Sequence, residues 1–179
     1  MIERMLAAWE SIAASLAMIV KLWSGTVLPP PPPVDPKPVP ALLWDRCLDV
    51  FKVSVERVAG ARYRIIAAWL TENGSWDNVP DWARRWQRDT LGGDHHAFGR
   101  CLDMAGSSIG KTFLLSWPTG QADRTPESDG WANLPLAGQN WDPANGPGPY
   151  VWEALKGDRL RGLGMPLNHH VSFFAVWQE

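Results

Sequence analysis

The sequence predicts a mainly β protein, in which an antiparallel β-sandwich head at residues 41–179 follows an N-terminal α-helix and a polyproline linker. Three observations carry this expectation. Residues 29–40 hold eight prolines among twelve residues, residues 1–24 repeat their apolar positions every seven, and beyond residue 48 the apolar period drops to two. Each pattern belongs to a different physical regime: an extended rod, a helix that needs a partner, and strands.

The N-terminal segment, residues 1–28, lacks proline and glycine up to Ser24. Ile2, Trp9, Leu16 and Trp23 recur at one heptad position, with Met5, Ile12 and Ile19 at a second and Leu6, Ala13 and Val20 at a third. Glu3, Arg4, Glu10 and Lys21 fall outside this stripe. A lone helix of such length is marginal in water, so its apolar face must be buried. Only ten uncharged residues separate Glu10 from Lys21, short of the roughly 20 that a membrane span needs. Glu3 and Glu10 argue against a secretory leader. The expectation is assembly as a trimer or higher homo-oligomer through Ile2, Met5, Trp9, Ile12, Leu16, Ile19 and Trp23.

Gly25 and Pro29 end the helical pattern. Proline fixes φ and lacks an N–H, so residues 29–40 can form neither helix nor inner strand. In polyproline II geometry they would span roughly 37 Å, at about 3.1 Å per residue.

In the head, Phe51, Val53 and Val55 alternate with Lys52, Ser54 and Glu56. This run and residues 63–70 read as a hairpin. Residues 95–103, 111–117, 150–155 and 170–177 read as further strands, and residues 118–149 as one long loop. A short helix is expected near Asp81 to Arg88, with Asp81 as N-cap and Trp82 and Trp86 one turn apart.

The net charge of −2 offers no basic footprint for nucleic acid. Twelve tryptophans against two tyrosines are the compositional anomaly, and four of them (Trp76, Trp82, Trp131 and Trp141) fall among Gly, Pro, Asn and Asp. A loop indole can stack on a sugar, and it can equally cap a small core. Trp76, Trp131 and Trp141 are the candidate ligand-binding residues. Cys47 and Cys101 are too few for a disulfide framework, leaving one bridge or two thiols open.

Motifs with chemical spellings carry little. Ala105 to Thr112 spells a relaxed P-loop, but Thr112 to Trp117 runs into Pro118 with no room for the phosphate-binding helix, so a Gly/Ser turn between strands is expected. His95-His96 and His169-His170 each open a strand-like segment. If those strands lie side by side, one histidine of each pair could meet, with Asp94 or Asp103 nearby. No metal signature matches, and neither a metal nor a cofactor is expected. Cys101 followed by His169 or His170 has the chain order of a cysteine hydrolase, yet Cys101 lies in a strand-like run rather than at a helix N-terminus. Asp123, Glu127, Asp129 and Asp142 crowd the long loop as solvated acids, calcium ligands or a glycosidase pair.

Several segments together resemble a known type of module. They are Tyr63 to Ile66, Leu70 to Asn73, Asp94 to Phe98, Ser116 to Pro118, Gly157 to Leu163 and His169 to Gln178. They are similar to the immunoglobulin-like or carbohydrate-binding-like β-sandwich of phage-associated and bacterial surface proteins, over about residues 60–179. The resemblance implies a sandwich without catalytic residues of its own. The Trp-rich stretch at 75–91 departs from it.

The order of parts leads to one expectation: a non-enzymatic structural appendage protein of a phage virion, such as a fibre or decoration protein. Its partners would be further copies of itself, other virion or surface-assembly proteins and a glycan, without nucleic acid or a membrane span. Two alternatives are a secreted or cell-surface carbohydrate-binding module and the cysteine hydrolase.

Overall fold

In a computed structural model of the chain, the described residues are 41–88, 95–136, 140–167 and 169–179. The expected heptad helix, with Ile2, Met5, Trp9, Ile12, Leu16, Ile19 and Trp23, and the proline linker lie outside them.

The head is mainly β and built on two sheets. Its strands are β1 (Leu43–Trp44), β2 (Ser54–Glu56), β3 (Arg64–Glu72), β4 (His96–Leu102), β5 (Phe113–Trp117) and β6 (Gly120–Arg124). They continue with β7 (Trp131–Pro135), β8 (Asn140–Trp141), β9 (Tyr150–Ala154), β10 (Arg159–Leu163), β11 (Met165–Pro166) and β12 (Val171–Gln178). The first sheet runs β1-β3-β12-β4-β7, the second β2-β10-β9-β5-β6, and β8 pairs with β11 alone. Four expected strands are present: 95–103, 111–117, 150–155 and 170–177 correspond to β4, β5, β9 and β12.

The antiparallel expectation holds for the second sheet only. In the first, β1 lies parallel to β3, and β12 parallel to β4. The predicted hairpin does not form either. β2 pairs with β10, with Glu56 opposite Arg159, while β3 joins the other sheet. The local reason is visible just upstream. Cys47–Val50 makes one helical turn and Lys52 takes φ 57°, so Phe51 never enters a strand. The predicted long loop also contains structure: β6, β7, β8 and a 3₁₀ turn at Pro143–Asn145.

Between the sheets lie Ile65, Leu70, Ala97, Cys101, Phe173 and Trp177 of the first and Phe113, Leu115, Trp152 and Leu160 of the second. Phe113 stacks on Trp152 at 5.2 Å and meets Trp177 edge-on at 5.3 Å. Gly99 faces this layer. A Cβ there would stand 2.5 Å from Phe113 Cε1 and 2.8 Å from Trp152 Nε1, so only glycine admits both rings.

The first sheet is buried on its second face too. Ile66, Trp69, Phe98, Leu102, Trp131, Phe174 and Val176 form a separate apolar layer covered by Trp76, Val79, Ala83 and Trp86. This accounts for the runs Ile65–Thr71 and Val171–Trp177, which are buried at every residue. A strand covered on both faces has no polar phase to display. The cover includes the expected short helix, a 3₁₀ helix at Asp81–Trp86. Pro80 occupies its N-cap, and Asp81 instead ion-pairs with Arg84 at 3.3 Å.

One buried carboxylate ties the sheets together. Asp158 is 0% exposed and accepts from Arg57 Nη1 at 2.5 Å, Arg64 Nη1 at 2.9 Å, and the backbone N–H groups of Val58 and Ile65 at 3.1 Å. Its backbone carbonyl accepts from Trp177 Nε1 at 2.8 Å. Both charges and backbone donors are thereby paired, as a buried carboxylate requires.

Candidate functional site

A groove of about 450 Å³ opens at one end of the head. The helical turn supplies Cys47, Val50 and Lys52, the end of β3 supplies Glu72, the 3₁₀ turn supplies Asp142 and Pro143, and the approach to β12 supplies Leu167 and His169. Two of these are large apolar side chains left open to water: Val50 is 68% exposed and Leu167 47%. Phe51 forms the floor. It packs edge-on against His169 at 5.7 Å and lies 6.3 Å from the Trp141 ring.

Local rules place each wall. Asp45 is buried and accepts from the N–H of Cys47 at 2.9 Å and of Leu70 at 3.3 Å, which pins the helical turn to β3. Asp142 caps its own turn by accepting from Ala144 N at 2.9 Å. Trp141 donates from Nε1 to the Gly146 carbonyl at 2.9 Å and lies flat enough on Gly164 that a Cβ there would meet its Cε3 at 2.4 Å.

The groove sets a few polar side chains beside an apolar floor. Cys47 is an exposed free thiol. Burial of the sulfur and the carboxylates of Asp45 and Glu72 push its pKa up, which keeps it a thiol at neutral pH. Glu72 and Asp142 set two acids around an apolar trough, with Lys52 as the one lysine or arginine of the lining among the described residues.

The three candidate ligand-binding tryptophans are not brought together. Trp131 is 1% exposed and Trp76 9%, both inside the layer that covers the first sheet. A ring at that depth has no free face for a sugar, so burial removes these two as stacking platforms. Trp69 gathers them: it lies 6.2 Å from Trp76 and 6.0 Å from Trp131, stacks on Trp86 at 5.6 Å and on Phe174 at 5.2 Å. Trp82 meets Trp69 edge-on at 5.9 Å. Trp141 is half-buried and stands beside the groove.

Cys101 is 0% exposed, and burial pushes its thiol up to about 12. It pairs in register with Trp177, seven residues along β12 from His170. At about 3.3 Å per residue the two ends are roughly 23 Å apart, so no thiol–imidazole pair forms there. Residues 105–112 form the expected turn between β4 and β5, with Asp103 Oδ1 accepting from Ala105 N and Ser107 N at 2.8 Å. The loop acids disperse. Glu127 and Asp129 hold Arg88, at 3.7 and 2.7 Å, and Asp142 lies at the groove.

One histidine of each pair does meet the other, although His95, with φ 64°, and both His169 and His170 lie just outside the strands. His95 and His170 precede neighbouring parallel strands and their rings lie 4.9 Å apart. His169 turns to Phe51, and His96 lies 5.7 Å from Phe98. Among the described residues no group of three or more His, Cys, Asp or Glu is placed to hold a metal.

Sequence reasoning missed the groove because four separate segments build it. The one local signal was the pair of apolar residues, Val50 and Leu167, set in polar surroundings. No family model, no curated protein and no solved structure matches this chain.

Proposed function

We propose that the chain is a non-enzymatic structural appendage protein of a phage virion, with the β head displayed for attachment and residues 1–28 for assembly. The observation that carries this reading is the order of parts in the sequence: an apolar heptad, a proline rod and a β-rich head. The open apolar groove beside Trp141 supports the attachment role, since a monomeric surface usually exposes large apolar side chains singly. Several weak heads on one base hold a repeated surface far better than one head does. Among the described residues no helix is long and apolar enough to cross a membrane.

Sedimentation of the full chain beside residues 41–179 tests the reading. The full chain should run as a trimer or larger, and the head as a monomer. A monomeric full chain would sink it. For a glycan ligand, an array should lose signal on Trp141→Ala combined with Leu167→Asp, and retain it in the well-folded Trp82→Ala control.

A further inference from the structure

We propose that His95 and His170 form a two-histidine site for a divalent transition-metal ion of the Zn²⁺ type. Two imidazoles sharing one ion each hold it at about 2.0–2.1 Å from nitrogen, which puts each ring centre about 3.2 Å from the metal. A roughly tetrahedral angle then separates the ring centres by about 5 Å. The observed separation is 4.9 Å, with 43° between the planes, so the rings do not form a parallel stack.

Three further observations point the same way. Nδ1 of His95 is buried and has no hydrogen-bond partner among the described residues. A buried ring nitrogen without a partner is costly, and an ion relieves that cost. His95 also holds φ 64°, a left-handed backbone that side chains seldom adopt and that persists where surroundings impose it. Finally, both residues are mounted on pinned backbone. His95 N–H donates to the Val171 carbonyl at 3.1 Å, and its own carbonyl accepts from Leu136 N at 2.7 Å. The His170 carbonyl accepts from Asn73 N at 2.7 Å. His95 and His170 thus stand immediately before β4 and β12, two neighbouring parallel strands of the first sheet.

No third His, Cys, Asp or Glu joins them among the described residues, so water completes the shell and binding is weaker than at a closed structural site. Such a site leaves coordination positions open to an outside ligand.

The test is calorimetric titration of the metal-free full chain with ZnCl₂, and separately NiCl₂. One ion per chain is expected, with a rise in melting temperature that EDTA reverses. His95→Asn keeps a residue tolerant of positive φ, and His170→Gln alters an exposed ring. Each should weaken Zn²⁺ binding at least tenfold, while His96→Gln and His169→Gln leave it unchanged. Absence of Zn²⁺ and Ni²⁺ binding up to millimolar metal would overturn the proposal. So would Zn²⁺ affinity unaltered in His170→Gln, the variant least able to disturb folding.

Discussion

Asp158 illustrates how much one side chain can hold. Its carboxylate pairs with both Arg57 and Arg64 and satisfies two backbone donors at full burial. Asp158→Ala would leave the Val58 and Ile65 N–H groups without their acceptor and the partly exposed Arg57 and Arg64 without their counter-charge, and should cost about 1–3 kcal/mol in a urea titration. Cys101 makes the opposite case, a polar atom kept neutral by burial. Its pKa rises from 9.0 to about 12. The folded state therefore holds its proton where the unfolded chain releases it, so stability should fall as pH climbs from 9 toward 12. Cys101→Ala would flatten that limb of a pH–stability profile. At pH 8 a disulfide reagent should titrate one thiol, Cys47, in the native chain and two in denaturant. Gly99→Ala drives a methyl into Phe113 and should cost about 1–3 kcal/mol by chemical denaturation.

At the scale of elements, the aromatic stack over the first sheet organises the packing. Trp86, Trp69, Phe174 and Phe98 follow one another at 5.6, 5.2 and 4.5 Å. An arginine lies over the ring at each end: Arg85 at 3.8 Å from Trp86 and Arg88 at 5.2 Å from Phe98. Trp69→Ala removes the ring that touches five others, and should cost about 3–5 kcal/mol in thermal or urea unfolding. The strands here were legible in sequence because β-branched and aromatic runs have short, bounded lengths. Their partners were not. Val53 and Val55 alternate as a strand should, yet the register partner of Glu56 lies 103 residues downstream, beyond any local signal. The tryptophans misled for a related reason. Trp76 and Trp131 sit among Gly, Asp and Pro, which reads as loop, but those residues turn short segments back over a sheet. The meeting of one histidine from each pair was readable only as a conditional, since it depended on which strands lay side by side, and His95, His169 and His170 stand outside the strands themselves.

For the whole molecule, the consequential feature is β12. This strand lies between β3 and β4 and hydrogen-bonds to both, so the first sheet is assembled around residues 171–178. A ribosome therefore releases β3 and β4 long before their common neighbour exists. Both carry apolar residues on two faces, and both must wait unpaired at the inner edge where β12 will insert. The head should thus fold only after synthesis has passed Gln178, in one late step rather than strand by strand. Chains stopped at residue 170 should be insoluble or protease-sensitive throughout, as pulse proteolysis of stalled nascent chains would report. A head without residues 171–178 would leave β3 and β4 each lacking the neighbour they share.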